Sequence, residues 1–430
     1  MNKLVLLGGS VAALRAVEIL RDRNRLPDQV IMLLSDCNTI AARDRYPDGI
    51  ISQKKPRQLC YRPEDQIIAG GIDIVSDKVA TRVNVTRRKI HFDDRSQMDY
   101  DMLIIADTPG HKMDTVKGHN KEGVFGFIEP GHMNRIATLA ALNESITIQS
   151  DQWWGMDLAL RLGGKGKDVI LSVSDRHPLV RATDQEFRDG LKAVMNERNV
   201  SLLIDNPIEE ILGDSDVKAV KMRSGKVYAS QVVILDEARL DLRIFSEGLE
   251  TEAERITVDE CYRTNIPHVY AVDYAAHRSG RLWQNYGPQT SILEYQGQIV
   301  ADVISEYAEF PAPPIPQAAY GPEEYRIVSA GQLTEGRSVS SLCRMDPRGG
   351  RFVRIFVRDE TVVGALAAGT DIPAERLFAC VEGGYPADMA WDEFSAAIPA
   401  DLPEEETSDE PAVEVPAAHD TPSVTAQEKG

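Results

Sequence analysis

The chain of 430 residues is poor in several features that would point its function elsewhere. Its five cysteines, at 37, 60, 261, 343 and 380, form no C-x-x-C pair and no metal-ligand spacing. That pattern argues against a disulfide framework and against a zinc site. No apolar run approaches the length of a bilayer span, so no membrane-crossing segment is expected. A cationic surplus is absent too: the formal net charge is -19. Without a basic face to displace counterions from phosphates, no nucleic-acid partner is expected. The H-E-x-x-H and G-x-x-x-x-G-K-[ST] signatures and a Ser-His-Asp order are missing, which leaves zinc protease, P-loop and hydrolase readings without support. The eight histidines have no metal spacing, and no metal is predicted. His177 and His268 adjoin prolines and read as solvated loop residues.

What is present is material for buried cores, with 43% hydrophobic and 27% charged residues. At this length the chain suits two or three domains. Strand-like runs alternate with helical periods from residue 3 onward: "KLVLLG", "SVAALRAVEILRDRN", "QVIMLLS", and later "YDMLIIAD". Such alternation predicts parallel sheets with covering helices. Because "LVLLGG" continues into an amphipathic helix, it reads as a first strand and turn rather than a signal peptide, and a cytoplasmic protein is expected. The plan repeats between about 112 and 240, with "SITIQS", a helix over 154–163, "DVILSVSD", a helix in "DQEFRDGLKAVMNERN", "VSLLI" and "QVVILDEA".

The repetition predicts an α/β chain with two interleaved Rossmann-type folds, the second inserted in the first. The outer one takes 1–111 and 241–310, and the inner one 112–240. "PAPPIPQ" marks a proline-rich linker at 311–319, followed by a small C-terminal α+β domain over 320–397. Residues 398–430 lose all hydrophobic period and carry about eight of the net negative charges, which predicts a disordered acidic tail.

"VLLGGSVAALRAVEIL" sets Gly8 where a strand turns into a helix. A dinucleotide site needs a tight turn, a backbone open to a pyrophosphate, and close packing of helix on strand. Gly8 and Gly9 supply the turn, Ser10 stands at the approach position, and Ala13 at the packing position. Asp36, after "VIMLLSD", lies at a suitable distance to hold a ribose hydroxyl.

Together with "YPDGIISQKKPRQLCYRPEDQIIAGGIDI", "YDMLIIAD", "ITVDECYRTNIPHVYAVD" and "LEYQGQIVAD", this turn resembles the FAD-dependent pyridine nucleotide-disulfide oxidoreductases. The resemblance is to the branch with ferredoxin reductases, the nitrite reductase flavin domain and the phenylglyoxylate dehydrogenase flavin subunit. It implies FAD as cofactor, and an iron-sulfur or other redox protein in a homo- or hetero-oligomer as partner.

Four positions depart from the family pattern. An A-T-G turn reads Ala106, Asp107, Thr108 and Pro109, and a second such turn carries Asp236 and Glu237. The closing Y-A-x-G-D motif reads "YAVDYAA", so Asp273 serves the flavin only if the register shifts by one residue, with Tyr274 otherwise in its place. In the second nucleotide loop, "SDQWWG", Ser150 and Gln152 replace glycines. Their side chains are expected where phosphates need bare amides, and Asp151 adds negative charge. An impaired NAD(P)H site follows. Trp153 and Trp154 either fill that space or anchor a partner. Two functions remain: a flavoprotein oxidoreductase or electron-transfer subunit working with a protein redox partner, or a non-catalytic scaffolding subunit of the same fold.

Overall fold

The computed structural model describes residues 3–34, 40–106, 116–127, 130–235, 241–245, 248–278, 289–307, 310–336, 338–346 and 350–398. Asp36, Cys37, the turns at 107–109 and 236–237, and the tail from 399 onward lie outside the described residues.

The first sheet consists of β1 (Lys3–Leu7), β2 (Gln29–Leu33), β3 (Asp73–Val75), β4 (Met102–Ile105) and a strand at Val269–Ala271. All are parallel, in the order 269–271, β4, β1, β2, β3. Leu4 to Leu7 are almost fully buried, as a central strand covered on both faces must be. Helix α1 (Val11–Asp22) follows β1 and crosses helix Thr290–Ile304. A Cβ on Gly297 would come within 2.4 Å of the Ala12 carbonyl oxygen, so glycine sets this crossing.

The chain leaves this sheet after β4, builds a second one, and returns at Val269–Ala271 to lie beside β4. The second sheet comprises β5 (Val124–Gly126), β6 (Ser145–Gln149), β7 (Asp168–Val173), β8 (Val200–Ile204) and β9 (Val232–Leu235). Its order, β5-β9-β6-β7-β8, repeats the first, with its nucleotide-loop strand central. Each half also carries a three-stranded antiparallel meander, at 80–99 and 208–229. The run "ATRVNVTRRKIHF" forms the first hairpin of the earlier meander, turning through Arg88 at positive φ.

Counting the returning strand as β10, the last sheet contains β11 (Gln317–Tyr320), β12 (Ile327–Gly331), β13 (Ser340–Met345), β14 (Phe352–Arg358) and β15 (Thr361–Ala368). It is antiparallel, in the order β11-β12-β15-β14-β13. Strand β11 begins inside the stretch read as linker. Strand β13 lacks an apolar alternation and escapes sequence reading. Helix Ala374–Glu382 and a second one, Ala387–Ser395, cover one face.

Candidate functional site

At the first turn, Gly8 has φ +90° and donates its N–H to the Leu33 carbonyl at 3.0 Å. A side chain there would be strained. Gly9 is tight as well, since a Cβ would lie 2.8 Å from Leu34 Cδ2. Ser10 caps α1: its Oγ accepts from the Ala12 N–H at 3.1 Å. Ala13 is fully buried.

The same hydroxyl donates to Asp273 Oδ2 at 2.8 Å, although 263 residues separate the two. Asp273 follows β10 at φ +55°, and its N–H donates to Gln296 Oε1 at 2.7 Å. Tyr274 turns elsewhere, with the Arg255 guanidinium over its ring at 5.6 Å. Asp273, rather than Tyr274, thus reaches the N-terminus of α1. Gln296 and Gly297, within "LEYQGQIVAD", act through a helix crossing that no local pattern reveals. The positive-φ glycine and the capped helix start fit a dinucleotide such as FAD, because they present backbone rather than bulk.

The second loop is built differently. Ser150 does not project over it; the side chain is turned onto Gly155, where a Cβ would meet Ser150 Cβ at 2.5 Å. Its Oγ accepts from the Gln152 N–H at 3.0 Å. The small side chain packs against Gly155 and takes up one of the loop's amides. Asp151 reaches across to the end of β7, accepting from the Ser174 N–H at 2.6 Å and its hydroxyl at 2.7 Å. Ser150, Asp151, Gln152 and Ser174 line a cleft of about 360 Å³ with Asp205 and Arg223 at its rim.

Helix α2 here denotes Tyr46–Ile51 and α3 Trp153–Gly163. Both tryptophans are buried, at 1% and 7% exposure. Trp153 stacks on Tyr320 with ring centroids 5.0 Å apart and planes 6° apart, and meets His177 edge-on at 5.3 Å. Trp154 stacks on Phe127, which also receives the edge of Tyr46 from α2. Asp157, on the same helix, is 5% exposed and accepts from the Gly321 N–H at 2.6 Å and from Arg161 Nε at 2.7 Å. Burial pushes its carboxyl up, against the pull of Arg161 and the Gly321 amide. The helix is therefore tied to the start of the C-terminal sheet by an aromatic stack and a charge-assisted hydrogen bond.

The solvated reading of His177 is also corrected. Its side chain is fully buried, caps the helix at Pro178–Arg181, and accepts from the Leu179 N–H at 3.2 Å through Nδ1. Burial pushes its pKa down to about 4, with the nearby Asp151 charge opposing. His268 is exposed. Cys60, Cys261 and Cys380 are free thiols, and no metal-ligand cluster occurs among the described residues. No helix among them is long and apolar enough to cross a membrane.

The model of the pyridine nucleotide-disulphide oxidoreductase family matches residues 2–289. Apoptosis-inducing factor 3 of Homo sapiens is 23% identical over 91% of this chain and 67% of its own length. The assimilatory nitrate reductase electron transfer subunit of Bacillus subtilis is 19% identical over 87% of this chain and 48% of its own. The chain thus spans about half to two thirds of these curated relatives. Among solved structures, the covalent putidaredoxin reductase–putidaredoxin complex superposes with a TM-score of 0.73 at 15% identity, covering 92% of this chain and 99% of that one. A NAD-dependent persulfide reductase from A. fulgidus superposes with a TM-score of 0.72 at 18% identity, covering 91% and 78%. The family match over two thirds of the sequence agrees with the two parallel sheets and the glycine turn at α1, and the chain belongs to the pyridine nucleotide-disulphide oxidoreductase family.

Proposed function

We propose that the protein is a FAD-dependent oxidoreductase or electron-transfer subunit that exchanges electrons with a protein partner, an iron-sulfur protein by class, rather than with NAD(P)H. Gly8, Gly9, Ser10 and Ala13 would seat the FAD pyrophosphate on α1, Asp36 the adenosine ribose, and Asp273 the chain leading to the flavin ring. When bound, FAD supplies a ring that takes up two electrons and can release them singly. The residues of the turn bind and orient it.

One observation carries the choice of electron source. Asp151 is clasped to Ser174 by hydrogen bonds of 2.6 and 2.7 Å across the second nucleotide loop. A carboxylate held there repels a pyrophosphate and takes the donors a ribose would use. The test is anaerobic spectroscopy of the purified protein reconstituted with FAD. Dithionite or a reduced iron-sulfur protein should bleach the flavin band, and NADH or NADPH should not. Rapid bleaching by either nicotinamide would refute the closed second site.

A scaffolding subunit is the second reading. It is favoured by the Asp273 carboxylate 2.8 Å from the Ser10 hydroxyl, which puts negative charge at the helix start that a pyrophosphate needs. Failure to take up FAD at all would select it.

A further inference from the structure

We infer that the C-terminal domain carries a docking groove for a cationic amphipathic segment of a partner protein, separate from both nucleotide turns. Helix α4, the label here for Ala387–Ser395, covers β14 and β15 through Ala390 and Phe394, both 1% exposed. It stops short of β13, the outer strand of the sheet. In the antiparallel register Leu342 on β13 lies opposite Ile355 on β14. Ile355 is fully buried and Leu342 is 42% exposed. The apolar face of the sheet therefore runs past its helical cover, and the gap is a groove of about 1050 Å³ with Trp391 on its wall.

Four carboxylates rim this groove: Asp359 and Glu360 from the β14–β15 turn, and Asp388 and Asp392 one turn apart on α4. All four are exposed, and none is ion-paired among the described residues. Glu393, beside Asp392, is instead paired with Arg376 at 2.6 Å, and Glu335 with Arg354 at 3.1 Å. No Lys or Arg is among the described lining residues.

An apolar floor with an unneutralised acidic rim selects its occupant by charge. The chain's own segment from 399 onward carries about eight net negative charges, so it is repelled. A second copy brings a net charge of -19 with it. A segment with Lys or Arg on one face and Leu-like residues on the other satisfies floor and rim together, with Trp391 as an aromatic anchor.

The experiment uses the full-length protein and a synthetic helical peptide of Lys and Leu at amphipathic spacing, with a Glu/Leu peptide of the same spacing as control. Binding is followed by titration calorimetry and by Trp fluorescence, with Trp391→Phe to assign the optical signal. The Lys/Leu peptide is expected to bind, to weaken about tenfold in the Asp388→Asn/Asp392→Asn variant, and to weaken with added salt. No binding, or equal affinity in that variant, overturns the proposal. Equal binding of the Glu/Leu peptide assigns the groove to an acidic segment and overturns it too. A dimer of the wild-type chain that the double variant dissociates would replace the partner by a second copy. Flavin reduction does not enter this test, so its outcome is independent of the proposed redox function.

Discussion

Trp153→Ala is the most informative perturbation, because the filling and docking explanations of the paired indoles predict opposite results. The side chain is 1% exposed and lies between the Tyr320 ring at 5.0 Å and His177 at 5.3 Å. Truncating a fully buried Trp costs about 3 to 5 kcal/mol, through lost transfer free energy and the cavity left behind. Against a total stability of about 5 to 15 kcal/mol, that is a large fraction. The loss should also spread, since Tyr320 belongs to β11 and the stack joins α3 to the C-terminal sheet. Guanidinium unfolding followed by far-ultraviolet circular dichroism would measure it. Trp153→Phe, which keeps a ring against Tyr320, should recover much of the difference. A Trp153→Ala protein that unfolds within about 1 kcal/mol of wild type but no longer assembles would falsify the packing account and restore partner docking.

Further outcomes follow from the same geometry. His177 has its pKa lowered from 6.5 to about 4 by burial, so the fold favours its neutral form. The sign follows: its contribution is complete above pH 6.5 and is lost as pH falls towards 4, amounting to on the order of 3 kcal/mol. His177→Asn keeps a cap acceptor for the Leu179 N–H and should flatten the stability profile in that window; an unchanged slope refutes the assignment. Ser10→Ala removes the α1 cap and the partner of Asp273, costing about 1 kcal/mol in thermal or denaturant unfolding and weakening FAD uptake. An equal FAD affinity would separate the cap from the cofactor. Gly8→Val places a β-branched residue at φ +90° and should cost about 1 to 3 kcal/mol while abolishing flavin absorbance; flavin retained at wild-type stoichiometry would contradict the placement of FAD on this turn.

Elements whose physics is local were legible in the order of residues alone. Continuous apolar runs such as "LVLL" specified buried parallel strands, and Gly8 specified a tight turn into a helix. The repeated strand and helix periods specified two similar halves. Strand β13 was illegible because its exposure follows no alternation, and His177 was misread because a histidine beside proline looks like a loop. Contacts between distant residues emerge from the three-dimensional fold. It chose Asp273 over Tyr274 at the α1 N-terminus, because the chain returns to β4 only after building the second sheet. It packed Ser150 against Gly155 and sent Asp151 across to Ser174. It also answered the question of the two tryptophans: Trp153 and Trp154 lie in the core, against Tyr320 and Phe127. Such pairings depend on where strands and helices meet in space, which periodicity along the chain does not encode.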